Sequence, residues 1–350
     1  MKNIFTLILG FVLVSFGFAQ HSSIDASLKL ASVKKQGVFV ITPFVEPKCK
    51  KKRCDELREK VNDLKTAIKE NFTFCPVEFA PEYAEKSKDR NAQEDKFKNR
   101  HLYILKFSSN DVTPKKTVGT NDSRAIGSAN ASSIHSKISG TVDIAVGGSV
   151  YAHQFYLLDK PSGQKRPKFL KKDTHIAGFY YGKSNYDAFS MIEELGEYLP
   201  VSIKVFSQYL EDCYNYKTTT ASKVAEMNAK AAKIETLYIF RGHVRKFLKK
   251  PEKIKSQYDV NLKFVGIDDI IDILNNPNYS NSAIAYPTFG VTKNASTQDH
   301  ITIIQGGTKK MLGTFRWKSP VVTVTGPNFS YFHKKINEEI NAHINSINEQ

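Results

Sequence analysis

Four cysteines are the first residues whose types and spacing point to a defined chemistry. Cys49 and Cys54 flank three lysines and an arginine in the string EPKCKKKRC, whereas Cys75 and Cys213 stand apart. A zinc ribbon needs a second close Cys or His pair, and neither isolated cysteine has such a neighbour. A thioredoxin-type motif has two residues between its cysteines, and here there are four. The spacing predicts a small loop stapled by Cys49 and Cys54, with Cys75 and Cys213 as the residual disulfide; four cysteines admit three pairings, and sequence does not choose among them.

Other catalytic signatures are missing. There is no Gly-x-Ser-x-Gly elbow and no His-Glu-x-x-His. Of a phosphate-binding loop only the fragment GGTKK at 306–310 is present, which reads as a hairpin turn. His333 and His343 lie too far apart on one helix to share a metal, and Asp268, Asp269 and Asp272 read as the polar side of a helix. Neither Cys75 nor Cys213 lies in a neighbourhood that predicts a lowered thiol pKa. No catalytic residue, metal ligand or cofactor is assigned from the sequence.

Two basic runs carry the clearest functional signal. In KPSGQKRPKFLKK the cations after Lys160 are Lys165, Arg166, Lys168, Lys171 and Lys172. In RGHVRKFLKKPEKIK they are Arg241, Arg245, Lys246, Lys249, Lys250, Lys253 and Lys255, against one acid, Glu252. Phe169, Phe247 and Leu248 are interleaved with them. Together they are candidate anion-binding residues, with an affinity that falls with salt if the ligand is a polyanion. Net charge is +16, and residues 256–350 hold 8 basic and 8 acidic residues, so the entire excess belongs to residues 1–255. Such asymmetry favours an acidic partner for the first part of the chain.

These residues must be positioned by ordinary elements. GVFVITPF reads as a buried strand, and Leu57, Val61, Leu64, Ile68 and Phe72 form the apolar stripe of a helix. FCPVEF and HLYILKF are strands; residues 108–140, rich in Ser, Asn, Gly and Thr, read as a long loop or insertion. Further strands precede and follow the basic turn at 159–166. A helix follows from Ser184, restarting at Pro200 and running to Cys213. Residues 218–233 read as a linker. TLYIFRGHV, VNLKFVG, SAIAYPTFGV, HITIIQ and MLGTFRW are strands, GIDDIIDILNNP a short helix, and Phe329 to Ile347 the stripe of a closing helix.

The plan is α+β: two layered domains, 20–217 and 234–350, with mixed or antiparallel sheets and amphipathic helices on one face. Their element orders echo each other, and HLYILKF loosely matches TLYIFRG.

Residues 1–19 have a basic start, an apolar run and a small-x-small end, the pattern of a cleaved export signal, and nothing after residue 20 is apolar for long enough to span a bilayer. The expectation is an exported protein of periplasm, cell surface or extracellular space. It is a binding or assembly module whose basic surface meets an anionic envelope polymer, a lipid surface or an acidic protein, with nucleic acid less favoured. The alternative is a secreted hydrolase of unfamiliar type acting on glycan or peptide, with acids supplied from separate strands.

Overall fold

The chain was analysed as a computed structural model, which describes residues 24–41, 52–79, 98–111, 115–119, 135–136, 141–145, 151–163, 175–184, 198–240, 251–291, 297–318 and 334–350. The export signal and Cys49 lie outside these residues. The α+β reading holds: two five-stranded mixed sheets have helices packed against them.

The first sheet is entered through α1 (Ile24–Gln36), which sequence reading missed, and β1 (Val38–Ile41). Gly37 joins them with φ +82°, and a Cβ there would stand 2.6 Å from the Pro76 carbonyl oxygen, so the join requires glycine. After α2 (Lys52–Asn71) comes β2 (Val77–Phe79); then β3 (Leu102–Asp111), β7 (Tyr151–Lys160) and β8 (His175–Ser184) complete the order β2-β1-β3-β7-β8. The helix stripe is placed as its spacing predicts, with Val61, Leu64, Ile68 and Phe72 all buried. Between β3 and β7, where composition reads as loop, β4 (Lys115–Gly119), β5 (His135–Ser136) and β6 (Thr141–Ala145) form a separate three-stranded sheet. Short polar strands of this kind leave little periodic signal in a sequence.

α3 (Tyr198–Asn215) and α4 (Ala221–Ala229) lead into the second sheet. Its strands are β9 (Thr236–Phe240), β10 (Asn261–Val265), β11 (Ser282–Val291), β12 (Thr297–Gln305) and β13 (Met311–Lys318), in the order β10-β9-β11-β12-β13. α5 (Pro251–Lys255) and α6 (Ile267–Asn275) lie within the connections, and α7 (Lys334–Asn348) closes the chain.

Numbered by order of appearance, both sheets run 2-1-3-4-5, with the first three strands parallel and the last two antiparallel. The register repeats as well. Across the first sheet Glu78, Phe39, Ile104, Leu158 and His175 stand in one row. The matching row of the second is Lys263, Tyr238, Ile284, Ile304 and Met311. Both closing hairpins carry an irregularity at the same place, between Leu157 and Leu158 and between Ile303 and Ile304. The true counterpart of TLYIF is therefore β1, and that of HLYILKF is β11, which corrects the match suggested by letters alone.

The halves share one core. α3 is buried on most of its sides, as a helix between two layers must be, and Val201, Ile203, Val205, Phe206, Tyr209 and Leu210 are buried along with the polar Ser202, Ser207 and Asp212. They pack in one cluster with Val38, Leu105 and Phe155 of the first sheet and Tyr238, Ile284 and Ile304 of the second. The far face of the second sheet is covered by α7 through Ile336, Ile340, Ile344 and Ile347. Each of these isoleucines is followed by an asparagine that stitches the helix down: Asn337 accepts from Tyr258, Asn341 and Asn345 donate to Asp259, and Asn348 both accepts from and donates to the Ile234 backbone.

The expected Cys75–Cys213 disulfide needs correction. Cys75 and Cys213 are free thiols, each buried in the shared core, and no disulfide joins any two of Cys54, Cys75 and Cys213. Burial pushes the Cys75 thiol up to about 12 and Cys213 higher still, so both remain protonated and shielded from exchange. An apolar core gives these positions a packing role that cysteine arithmetic cannot distinguish from a bridge.

His343 on α7 donates from Nε2 to the Leu312 carbonyl at 2.9 Å, and a Cβ at Gly313 would lie 2.5 Å from that nitrogen. Burial holds the imidazole below its ordinary value of 6.5, partly opposed by the carbonyl. The folded state therefore favours neutral His343, and the unfolded chain takes up the proton first. Stability from this group is present above about pH 6.5 and declines as pH falls below it. The unfolding midpoint should drop between pH 7.5 and 5, and His343→Gln, which keeps a donor for Leu312, should flatten that part of the profile.

Candidate functional site

The first sheet ends, at the start of β3, in a turn clamped onto the beginning of the β7–β8 loop. Gly163 N–H donates to the Lys98 carbonyl at 2.8 Å, Ser162 Oγ to the Asn99 carbonyl at 2.9 Å, and Lys160 Nζ to the Arg100 carbonyl at 3.0 Å. Three backbone carbonyls that would otherwise need water are satisfied in this way. The clamp leaves Lys98, Arg100 and His101 exposed side by side, with the Arg100 guanidinium 5.2 Å from the centre of the Phe39 ring.

One acid lies beneath. Asp159, 6 % exposed, takes Lys29 of α1 at 2.9 Å on one carboxylate oxygen and His101 Nε2 at 2.6 Å on the other. The His101 ring lies 5.0 Å from that of Tyr103, whose hydroxyl bonds Ser32 and is held above its usual range mainly by burial. Lys160, next along β7, points to the opposite face and is 1 % exposed; burial, then the Arg100 charge, lowers its pKa. The end of the sheet thus pairs Lys29 and His101 with the Asp159 carboxylate, while Lys98 and Arg100 stand exposed beside them and Lys160 is buried on the other face.

A histidine oriented by a buried carboxylate resembles half of a catalytic triad. Among the described residues, however, no hydroxyl or thiol is bonded to the His101 ring, and no group of three or more His, Cys, Asp or Glu is placed to hold a metal. Asp269 caps α6 by accepting from Gly266 N–H at 2.8 Å, which gives that acid a structural role.

The repeat supplies an internal control. By the shared register, Lys98, Arg100, His101, Asp159 and Lys160 correspond to Asn278, Ser280, Asn281, Gln305 and Gly306. The second half makes the same kind of clamp, with Gln305 Nε2 donating to the Ser280 carbonyl and Gly306 N–H to that of Ser282. A clamp is present in both halves, and the Lys160 ammonium is the one charged donor among the bonds named for either. Lys98 and Arg100 contribute only their backbone carbonyls to it, which leaves their side chains outside the clamp.

The sequence-derived cations fare unequally. The loop bearing Lys165, Arg166, Lys168, Lys171 and Lys172 begins at the clamp, but these residues lie outside the described ones, as do Arg241, Arg245, Lys246, Lys249 and Lys250. Lys253 sits on α5; Lys255 is exposed and paired with Glu252 at 3.0 Å. The two basic runs are anchored to different sheets, one between β7 and β8 and the other between β9 and β10. Sequence reading missed Lys29, Lys98, Arg100, His101 and Asp159. The adjacent string KFKNRH at 96–101 was a signal for some of them, but only the pairing of Leu102 with Lys160 places it beside the basic loop.

No protein-family model matches the chain, and neither a curated protein nor a solved structure matches it. Among the described residues no helix is long and apolar enough to cross a membrane.

Proposed function

We propose that this is an exported, non-enzymatic binding protein whose first half engages an anionic polymer of the cell envelope or its surroundings. The reading rests on one observation above others: at equivalent positions of a repeated clamp, the first half exposes Lys98, Arg100 and His101 where the second carries Asn278, Ser280 and Asn281. The loop that leaves this clamp adds Lys165, Arg166, Lys168, Lys171 and Lys172, and residues 1–233 carry 36 basic against 25 acidic residues, a net +11 of the chain's +16. A ligand with closely spaced negative charges would displace counterions from such a surface, giving affinity that falls with salt. Residues 1–19 support export.

The test is retention of the chain from Gln20 onward on purified anionic glycan, envelope fractions, anionic vesicles and nucleic acid, at low and moderate salt. Selective, salt-sensitive retention on glycan or envelope polymer is expected. Lys98→Glu with Arg100→Glu should weaken it at least about tenfold and reduce the salt slope by roughly two. Lys230→Glu with Lys335→Glu, an equal charge change on exposed sites of the second half, should leave it nearly unchanged. Equal losses in both pairs would reduce the effect to net charge, and retention on none of the matrices would end the proposal.

A further inference from the structure

The β12–β13 loop, Gly306 to Lys310, occupies the same place in the repeat as the basic loop of the first half. It is seated on the end of α6: Gly307 N–H donates to the Ile273 carbonyl at 2.8 Å, a Cβ on Gly306 would stand 2.5 Å from the Tyr279 carbonyl oxygen, and Gly307 lies against Asn276 and Pro277. Lys204 of α3 reaches the same corner, donating to Asn275 Oδ1 at 2.8 Å.

Two choices here run against local preference. Lys309 adopts φ +62°, a left-handed conformation in which a side chain is strained and glycine is favoured. It also stands at the corner that Lys204 reaches: its Nζ faces the Gly307 carbonyl, Gly307 lies against Asn276, and the neighbouring Asn275 holds Lys204; burial, then the Lys204 charge, lowers the Lys309 pKa. Lys204 is itself pushed down by burial, opposed by Glu70 of α2. Among the described residues, the hydrogen-bond partner of Lys309 Nζ is the Gly307 carbonyl, at 3.5 Å. The other left-handed lysine, Lys217, is exposed where α3 ends and shares none of this crowding. Strain and like-charge repulsion concentrated at one spot are expected where a ligand supplies the missing partner.

We propose that the corner between α3, the end of α6 and the β12–β13 loop binds a phosphate group, held by the ammonium groups of Lys204 and Lys309. Two point-charge ammoniums match a tetrahedral dianion, whereas the planar fork that favours a carboxylate would call for arginine. The loop does not work as a backbone cradle, because the N–H groups of Gly306, Gly307, Thr308 and Lys309 are all used within the fold. The site is separate from the cationic end of the first sheet and does not rest on that reading.

Inorganic phosphate at about ten times its dissociation constant should raise the unfolding midpoint by roughly 3 °C over chloride of equal ionic strength. Lys309→Gly should unfold about 1–3 °C higher than the parent in chloride, since strain and repulsion are relieved, and should lose the phosphate increment. The Lys98→Glu, Arg100→Glu pair should keep that increment, so the two binding readings can fail separately. A parallel titration with phenyl phosphate distinguishes a phosphomonoester, bound equally well, from the free ion, bound in preference. The proposal is overturned if Lys309→Gly is less stable in chloride, which would make Lys309 a prop for α6. It is equally overturned by a phosphate increment that survives in this variant or is absent from the parent.

Discussion

Replacing Asn228 with leucine is expected to destabilise the protein by about 3–5 kcal/mol, because it strips a buried carboxylate of a donor. Asn228 Nδ2 donates to Asp212 Oδ2 at 2.8 Å and to the Met311 carbonyl at 3.0 Å, while its Oδ1 accepts from Tyr216. Gln208 supplies the other bond to Asp212. One side chain on α4 thereby ties the end of α3 to the last strand of the second sheet. Burial already raises the Asp212 pKa above 3.8, against the lowering effect of its two amide donors. A group with a raised folded pKa favours the protonated folded state, so its penalty shrinks as pH falls toward the unfolded value. Losing Asn228 raises that pKa further, and the deficit in urea unfolding should be larger at pH 8 than at pH 5. A pH-independent cost below about 1 kcal/mol would show that the network contributes little.

Phe206→Ala should cost a comparable amount, about 3–5 kcal/mol, by removing a large side chain that the core cannot close over. The ring is 1 % exposed, 6.4 Å from Phe72 and 5.7 Å from Phe155, contacts that all belong to the first half. Its wider consequence concerns cooperativity. α3 packs on both sheets, so damage on its first-sheet side should be felt by the second. The single tryptophan, Trp317 on β13, reports there. Its fluorescence and the far-ultraviolet circular dichroism should move to the same lower midpoint. A Trp317 transition that stays put while the dichroism shifts would mean that the halves unfold independently.

The candidate phosphate corner and the cationic sheet end differ in how they could be read. GGTKK is visible as a hairpin turn, yet nothing in its letters says that Lys309 is left-handed or that Lys204, far away in sequence, shares its corner. The basic run after Lys160 is equally plain, but the basic residues at its base are Lys29, Arg100 and His101. These join it through strand pairing and through one buried aspartate. Asp159 is a case in point: FYLLDK reads as a strand meeting a turn, and its last acid gives no sign of being enclosed.

Local periodicity determined much of the rest. The stripe Val61, Leu64, Ile68, Phe72 and the series Ile336, Ile340, Ile344, Ile347 place α2 and α7 because a helix must bury one face, and a 3.6-residue repeat records which. The sequence by itself also determined the α+β class, the burden of positive charge in the first part of the chain, and the turn at 306–307. It could not determine strand order, because pairing partners are distant and any β-rich segment resembles another: HLYILKF was matched to TLYIF when its counterpart is SAIAY. Nor could it tell a buried thiol from a bridged one, since Cys75 and Cys213 differ from paired cysteines only in their surroundings. Only the tertiary structure decided that the two sheets repeat residue for residue, that α3 serves both, and that the same clamp carries charge in one half and none in the other. Those facts depend on contacts between distant segments, whose free energy belongs to pairs of residues and is written in neither one alone.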